Sequence, residues 1–218
     1  MSAMSGAKLN ARLIHKDLNK RLVVSPLLVK QEQLKHSHAS IDIRLGCEFA
    51  LVSPSSLGAI DELGTKGSSQ SLSKLYRSAY VPLGGSFVIH PHQFVLAQAL
   101  EYLRLPLDLM AYVVGRSTWG RLGLTVATAV GIHPGFAGCL TLELRSLGET
   151  PLTLRPGQTI AQLFFHSVKT ESGMVVAGQY GGSVGILPRR ISSEETKETL
   201  RRLELQHEPT GLPIVKTE

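Results

Sequence analysis

Hydrophobic and polar residues alternate along much of the chain. In ASIDIRLGCEFALV, Ile41, Ile43 and Leu45 alternate with Asp42, Arg44 and Gly46, and in CLTLELRS, Leu140, Leu142 and Leu144 alternate with Thr141, Glu143 and Arg145. Successive side chains of a strand point to opposite faces, so period two predicts strands with one face buried. From Ala79 to His166 come the short runs YVPL, SFVIH, FVLAQALEYLRL, LMAYVVG, LTVATAVGI, CLTLELRS, LTLRP and TIAQLFFH, broken by Gly, Pro or Asp every 8 to 12 residues. That rhythm predicts a mainly β domain, a barrel or a sandwich.

Helical spacing is confined to the two ends. Leu9, Leu13, Leu18 and Leu22 predict a short amphipathic helix over residues 9 to 22. Ser192 with Glu195 forms a capping box opening a charged helix through Leu205. Between these, Ser53 to Ser78 is rich in Ser and Gly and reads as a surface loop, and AGQYGGSVG after Lys169 reads as an arm. The organisation expected is one domain over residues 1–190, followed by a helix and tail over 191–218.

Composition narrows the class. With 218 residues, 43% of them hydrophobic and 18% charged, the chain is too apolar to be intrinsically disordered. A chain of this size buries roughly 70% of its unfolded surface and needs no staple. Cys47 and Cys139 stand without a C-x-x-C partner, which argues for a reducing compartment and against structural zinc. The uncharged run Ala79 to Leu100 is interrupted by Pro82, Gly84, Gly85 and Pro91 and cannot span a membrane. No apolar core precedes the first charges, so a cytoplasmic location is expected. The net charge of +6 suits either a nucleic-acid surface or cationic sites for a smaller polyanion. Aromatic-rich basic motifs of the single-strand-binding kind are missing, and nucleic acid is not expected as a partner.

Two clusters carry candidate chemistry. In GRSTWGRLGL, residues 115 to 124, Arg116 and Arg121 flank Ser117 and Thr118, while Gly115, Gly120 and Gly123 let the backbone turn or approach a ligand. Hydroxyls, exposed N–H groups and guanidinium forks suit phosphate oxygens; the alternative is a turn with solvated arginines. In TAVGIHPGFAGCLTLELRSLG, residues 128 to 148, Glu143 projects away from the leucine face. There it is either a proton shuttle in a partly dry site or a solubilising charge. His133 in GIHPG either binds a ligand or caps the turn. Of the other histidines, His36 and His38 alternate before a strand and His90 and His92 flank Pro91, with no Cys, Asp or Glu nearby to complete a zinc set. The H-x-E and P-C-x-x-C signature of the zinc nucleobase deaminases is missing as well.

The order ASIDIRLGCEF, FVIHPHQFVLAQALEYLRLP, GRSTWGRLGL, GIHPGFAGCLTLEL and RPGQTIAQLFF resembles the dCTP deaminase branch of the trimeric dUTPase superfamily, over residues 9 to 190. The resemblance implies a distorted β-barrel that assembles as a homotrimer with active sites between subunits. It implies conversion of dCTP and water to dUTP and ammonia, with Mg2+ on the triphosphate, no zinc and no metal at the base. Glu143 matches the family's general acid/base, and Ser117 and Arg121 match the residues that hold the water and steady charge at C4. Arg116, Ser117, Thr118, Trp119, Gly120 and Arg121 fall in the segment lining the nucleotide, Thr141 and Leu142 where strand backbone reads the pyrimidine, and Gln162 near the phosphates. dTTP is a possible inhibitor by the same resemblance.

The chain also departs from the family. His133 stands where the deaminases and dUTPases carry an Asp that contacts the deoxyribose, which argues against dUTP hydrolysis by the usual route. The segment between Leu124 and Ala129 is one residue short. The arm keeps Tyr180 but has Gln179 and Ser183 where deaminases tend to have a phosphate-binding Lys and a Gln. Further hydrolysis to dUMP, or a non-catalytic member that senses nucleotide, are the competing functions.

Overall fold

The period-two runs fold as strands. A computed structural model describes residues 3–27, 34, 39–52, 76–128, 131–169 and 185–186. In chain order they form α1 (Gly6–Leu13), β1 (Val23–Ser25), β2 (Ser40–Val52), β3 (Tyr76–Tyr80), β4 (Phe87–Ile89), β5 (Phe94–Arg104), β6 (Leu109–Gly115), α2 (Ser117–Gly120), β7 (Leu124–Val126), β8 (Gly131–Ile132), β9 (Ala137–Ser146), β10 (Leu152–Leu154) and β11 (Thr159–Ser167). By compactness the chain divides into Met1–Ser53 with Tyr76–Leu187, and Pro54–Leu75 with Pro188–Glu218; every described residue belongs to the first unit. Gln179, Tyr180, Ser183 and the helix expected from Ser192 to Leu205 lie outside the described residues.

The main sheet runs β7-β9-β5-β2-β11-β6-β8, with β1 added on β5 and β3 on β2. β2 is the strand that curls it. Residues 40–44 pair with β11, while its second half pairs with β5 and β3. The switch of partner is marked by a register shift between Leu45 and Phe49, and bulges of this kind bend a strand. Gly46 sits in that shift because a Cβ there would lie 2.8 Å from the Gln98 carbonyl oxygen. Curling brings the outer strands together. Thr128, just past β7, is three residues from Gly131 in β8, so the two edges lie within about 11 Å at about 3.6 Å per residue. The expected mainly β architecture is therefore present, as a curled half-barrel.

Inside the curl, Ile41, Ile43, Leu45, Leu142, Leu144, Leu163 and Phe165 are fully buried, as the alternation requires. Each contributes roughly 1.5–3 kcal/mol relative to exposure. The separate β4–β10 pair is fastened to the sheet by Phe87 stacked on Phe49 at 4.4 Å between ring centroids.

Three expectations need correction. The N-terminal helix covers Gly6–Leu13 rather than residues 9 to 22. It starts early because Ser5 caps it, accepting from the Lys8 N–H. It stops because polar side chains capture the next backbone groups: the Asp17 N–H donates to His15 Nδ1 at 3.1 Å and the Asn19 N–H to Asp17 Oδ1 at 2.9 Å. Leu9 and Leu22 are buried all the same, whereas Leu18 is exposed. Of the expected loop Ser53 to Ser78, residues 53–75 lie outside the described residues, and Tyr76, Arg77 and Ser78 are strand residues paired with β2. LTVATAVGI, read as one run, is two strands, β7 and β8, on opposite edges of the sheet.

Candidate functional site

Strand β9 presents Glu143 as its sequence predicts. Leu140, Leu142 and Leu144 face the core, and Thr141 and Glu143 are half-buried on the other face. Glu143 lies opposite Leu96 of β5, one residue from the Val126–Leu144 rung with β7. Its backbone is gripped on the β7 side: its N–H donates to Thr128 Oγ1 at 2.8 Å and its carbonyl accepts from the Ala127 N–H at 2.7 Å. Alternate residues of a strand direct their backbone groups to the same edge, so the Thr141 peptide groups point the same way, away from β5. Burial alone pushes the Glu143 carboxyl above the ordinary glutamate range. A carboxyl so placed holds or releases a proton closer to neutral pH than a solvated one, which suits general acid/base work.

The 115–124 cluster is a one-turn helix, α2, between β6 and β7. Arg116 is its N-cap residue and makes no side-chain cap bond. One turn of helix is marginal in water, so tertiary anchors must hold it. Two side chains do so: Arg116 Nη1 donates to Asp42 Oδ2 at 2.6 Å, and Trp119 Nε1 donates to the Thr159 carbonyl at 2.8 Å. Beyond the turn, Gly123 at φ +86° lets the chain press against Gly148, where a Cβ would meet the Gly148 nitrogen at 2.7 Å. Ser117, Thr118, Gly120 and Arg121 are left exposed.

The two clusters meet along the β7–β9 edge, where Gly123 packs against Leu147 and Gly148. The Leu147 N–H donates to the Gly123 carbonyl, four residues beyond Glu143 along β9. At about 3.3 Å per residue the end of the turn is about 13 Å from Glu143. Among the described residues, no hydrogen bond or ion pair joins Glu143 to Ser117 or Arg121 within one chain.

Gln162 and Arg116, both expected near phosphates, do come together. Gln162 on β11 is the cross-strand partner of Asp42 on β2, its Oε1 accepts from Ser40 Oγ at 3.4 Å, and Asp42 holds Arg116. His133 is exposed in the turn after β8, its carbonyl accepting the Phe136 N–H. Among the described residues, no group of three or more His, Cys, Asp and Glu side chains is placed to hold a metal ion.

Residues 8–168 match the sequence model of the family described as dCTP deaminase-like. The chain belongs to that family. A protein of Methanobrevibacter smithii named dCTP deaminase, dUMP-forming, is 39% identical over 69% of this chain and 74% of its own. A protein of Natronomonas pharaonis named dCTP deaminase is 34% identical over 88% of this chain and 95% of its own. The crystal structure of the 2'-deoxycytidine 5'-triphosphate deaminase from Agrobacterium tumefaciens shares the fold, with a TM-score of 0.55 and 22% identity over 75% of this chain. The chain spans 46% of that structure's length.

Several polar groups of this dCTP deaminase-like domain escaped the sequence reading. Thr128 binds the Glu143 backbone, Asp42 orients Arg116, and Glu101 is wholly buried on β5 against Arg44. Arg44 Nε donates to Glu101 Oε1 at 2.6 Å, its backbone N–H to Oε2 at 2.9 Å, and its Nη2 to the Pro26 carbonyl at 2.9 Å. Burial pushes the Glu101 carboxyl up and the Arg44 contacts oppose it, burial being the larger effect. The two-point contact nonetheless has the form of an ionised pair. The available signal was a Glu among apolar neighbours in FVLAQALEYLRL, which marks a buried group in need of a partner. Among the described residues no helix is long and apolar enough to cross a membrane.

Proposed function

We propose that this protein is a dCTP deaminase that converts dCTP and water to dUTP and ammonia. The half-buried Glu143 carboxyl, raised by burial on the polar face of β9, is the observation that carries the reading. Ionised Glu143 takes a proton from water as the water oxygen bonds to C4 of cytosine. The same carboxyl then delivers a proton to the exocyclic amino group, the C4–N bond breaks, and ammonia leaves. Ser117 holds the water, and the Arg121 guanidinium steadies the charge developing at C4. The base site uses no zinc.

Ser117 and Arg121 are exposed, and among the described residues neither makes a hydrogen bond or ion pair to Glu143 within one chain. Both facts support a homotrimer in which the turn of one subunit meets Glu143 of another. The triphosphate arrives as its Mg2+ complex. Asp42 uses one donor of the Arg116 fork and fixes its plane, and the other N–H groups suit phosphate oxygens, with Gln162 beside them. Thr141 backbone reads the pyrimidine edge; Leu142, its side chain in the core, contributes only through backbone. dTTP as an inhibitor and a cytoplasmic setting belong to the same reading.

A second reading continues to dUMP and diphosphate. The relative named dCTP deaminase, dUMP-forming favours it, and His133 in place of the family's Asp opposes it. Purified protein with Mg2+ and a zinc-specific chelator, given dCTP, dUTP, dCMP or CTP, decides among these. Ammonia with dUTP from dCTP supports the main reading, and dUMP supports the second. Nucleotide binding with no turnover would overturn both in favour of a sensor.

A further inference from the structure

We propose that Trp119 is a positioning residue: its indole N–H, bonded to the Thr159 carbonyl, sets the placement of Ser117 and Arg121 and so the rate of the chemical step. The inference rests on the deaminase reading for its kinetic consequence, but its structural basis stands apart from it. Helix α2 is four residues long and lacks a side-chain N-cap bond, so its own hydrogen bonds do not fix it. Trp119 lies at its centre, two residues from Ser117 and two from Arg121. Those two side chains are exposed, whereas the Trp119 ring turns inward, packs on the hydrophobic core and reaches β11.

The acceptor is placed by an irregularity. The β2–β11 ladder shifts register between Thr159 and Ala161, and the Thr159 carbonyl accepts the indole at 2.8 Å. Thr159 is itself the cross-strand partner of Arg44, which Glu101 and Pro26 hold at three points. The turn is thus moored beside the buried Arg44–Glu101 contact. A small displacement of reacting groups costs far more in rate than in binding, because alignment matters most in the transition state.

Trp119→Phe keeps the ring and loses the N–H; Trp119→His keeps a smaller ring with an N–H. In the full-length protein with dCTP and Mg2+, Trp119→Phe should lower kcat about thirtyfold while KM changes less than about threefold, the mark of lost alignment rather than lost contact. Trp119→His should recover part of that loss. Hydrogen exchange of the 116–123 amides should quicken about tenfold in Trp119→Phe, with the 41–45 amides unchanged. Unaltered kcat, a change confined to KM, or unaltered exchange in Trp119→Phe would overturn the proposal. If the wild-type protein does not turn over dCTP, the deaminase reading fails, and the exchange of the turn still decides whether the indole fixes it.

Discussion

Glu101 and Glu143 lie on neighbouring strands, β5 and β9, and burial pushes both carboxyls upward. Their surroundings differ in what answers that burial. Glu101 is fully enclosed and meets the Arg44 side chain and backbone N–H at 2.6 and 2.9 Å, while Arg44 is held in turn by Pro26. Glu143 keeps contact with solvent, and burial is the sole cause of its shift. A desolvated carboxylate with a tailored cation is committed to structure, since moving its proton would strand the partner's charge. A half-desolvated one whose backbone, rather than its carboxylate, is tied down is held in place with its proton free to move. The grip of Thr128 and Ala127 on the Glu143 peptide supplies that placement.

The sharpest break of this contrast is Glu143→Gln. It should reduce ammonia release from dCTP by about a thousandfold while leaving nucleotide binding within about tenfold, because the amide keeps the shape and cannot take the proton. Steady-state kinetics and calorimetric titration check the two halves.

Glu101→Gln should do the reverse. It leaves Arg44 buried without a counter-charge and should cost about 3–5 kcal/mol of stability, seen as a lowered denaturation midpoint, with the folded fraction still active. Replacing both partners, Arg44→Met with Glu101→Leu, should cost less than Glu101→Gln alone, because no charge is then stranded. Arg121→Ala should lower both dCTP affinity and turnover, about a hundredfold in kcat/KM, since an exposed cation serves the nucleotide and the transition state together.

The smallest effect is in pH. Glu143 must be ionised to accept a proton from water, so kcat/KM should fall as pH drops through a value above the ordinary glutamate range. Stability runs the other way. A raised folded-state value means the folded chain binds the proton more tightly, a contribution complete below the unfolded value and lost as pH rises through the folded one. Above that window Glu143→Gln should therefore melt no lower than the wild type, which thermal scans at neutral and acid pH would check.

The strands were legible because one face of each is buried. Leu140, Leu142 and Leu144 in β9, and Ile41, Ile43 and Leu45 in β2, announce both the strand and its inner face. The end of α1 was not, since leucine spacing continued past Leu13 while local bonds at Asp17 and Asn19 took the backbone. At the site, periodicity gave the face of Glu143, and only the family resemblance favoured chemistry over a solvated charge. The partners were invisible for a different reason. Arg44 and Glu101 are 57 residues apart and Asp42 and Arg116 are 74 apart, so only a folded sheet brings them together. The inward turn of Trp119 likewise depends on a register shift in β11, which no local pattern encodes.

The most direct test of the account is the mass of the nucleotide formed from dCTP and Mg2+ in water enriched in oxygen-18. Hydrolytic attack at C4 predicts dUTP with one heavy oxygen, carried on C4 of the uracil base, and one ammonia released for each. Heavy oxygen found only in released phosphate or diphosphate, with the cytosine amino group intact, would contradict it.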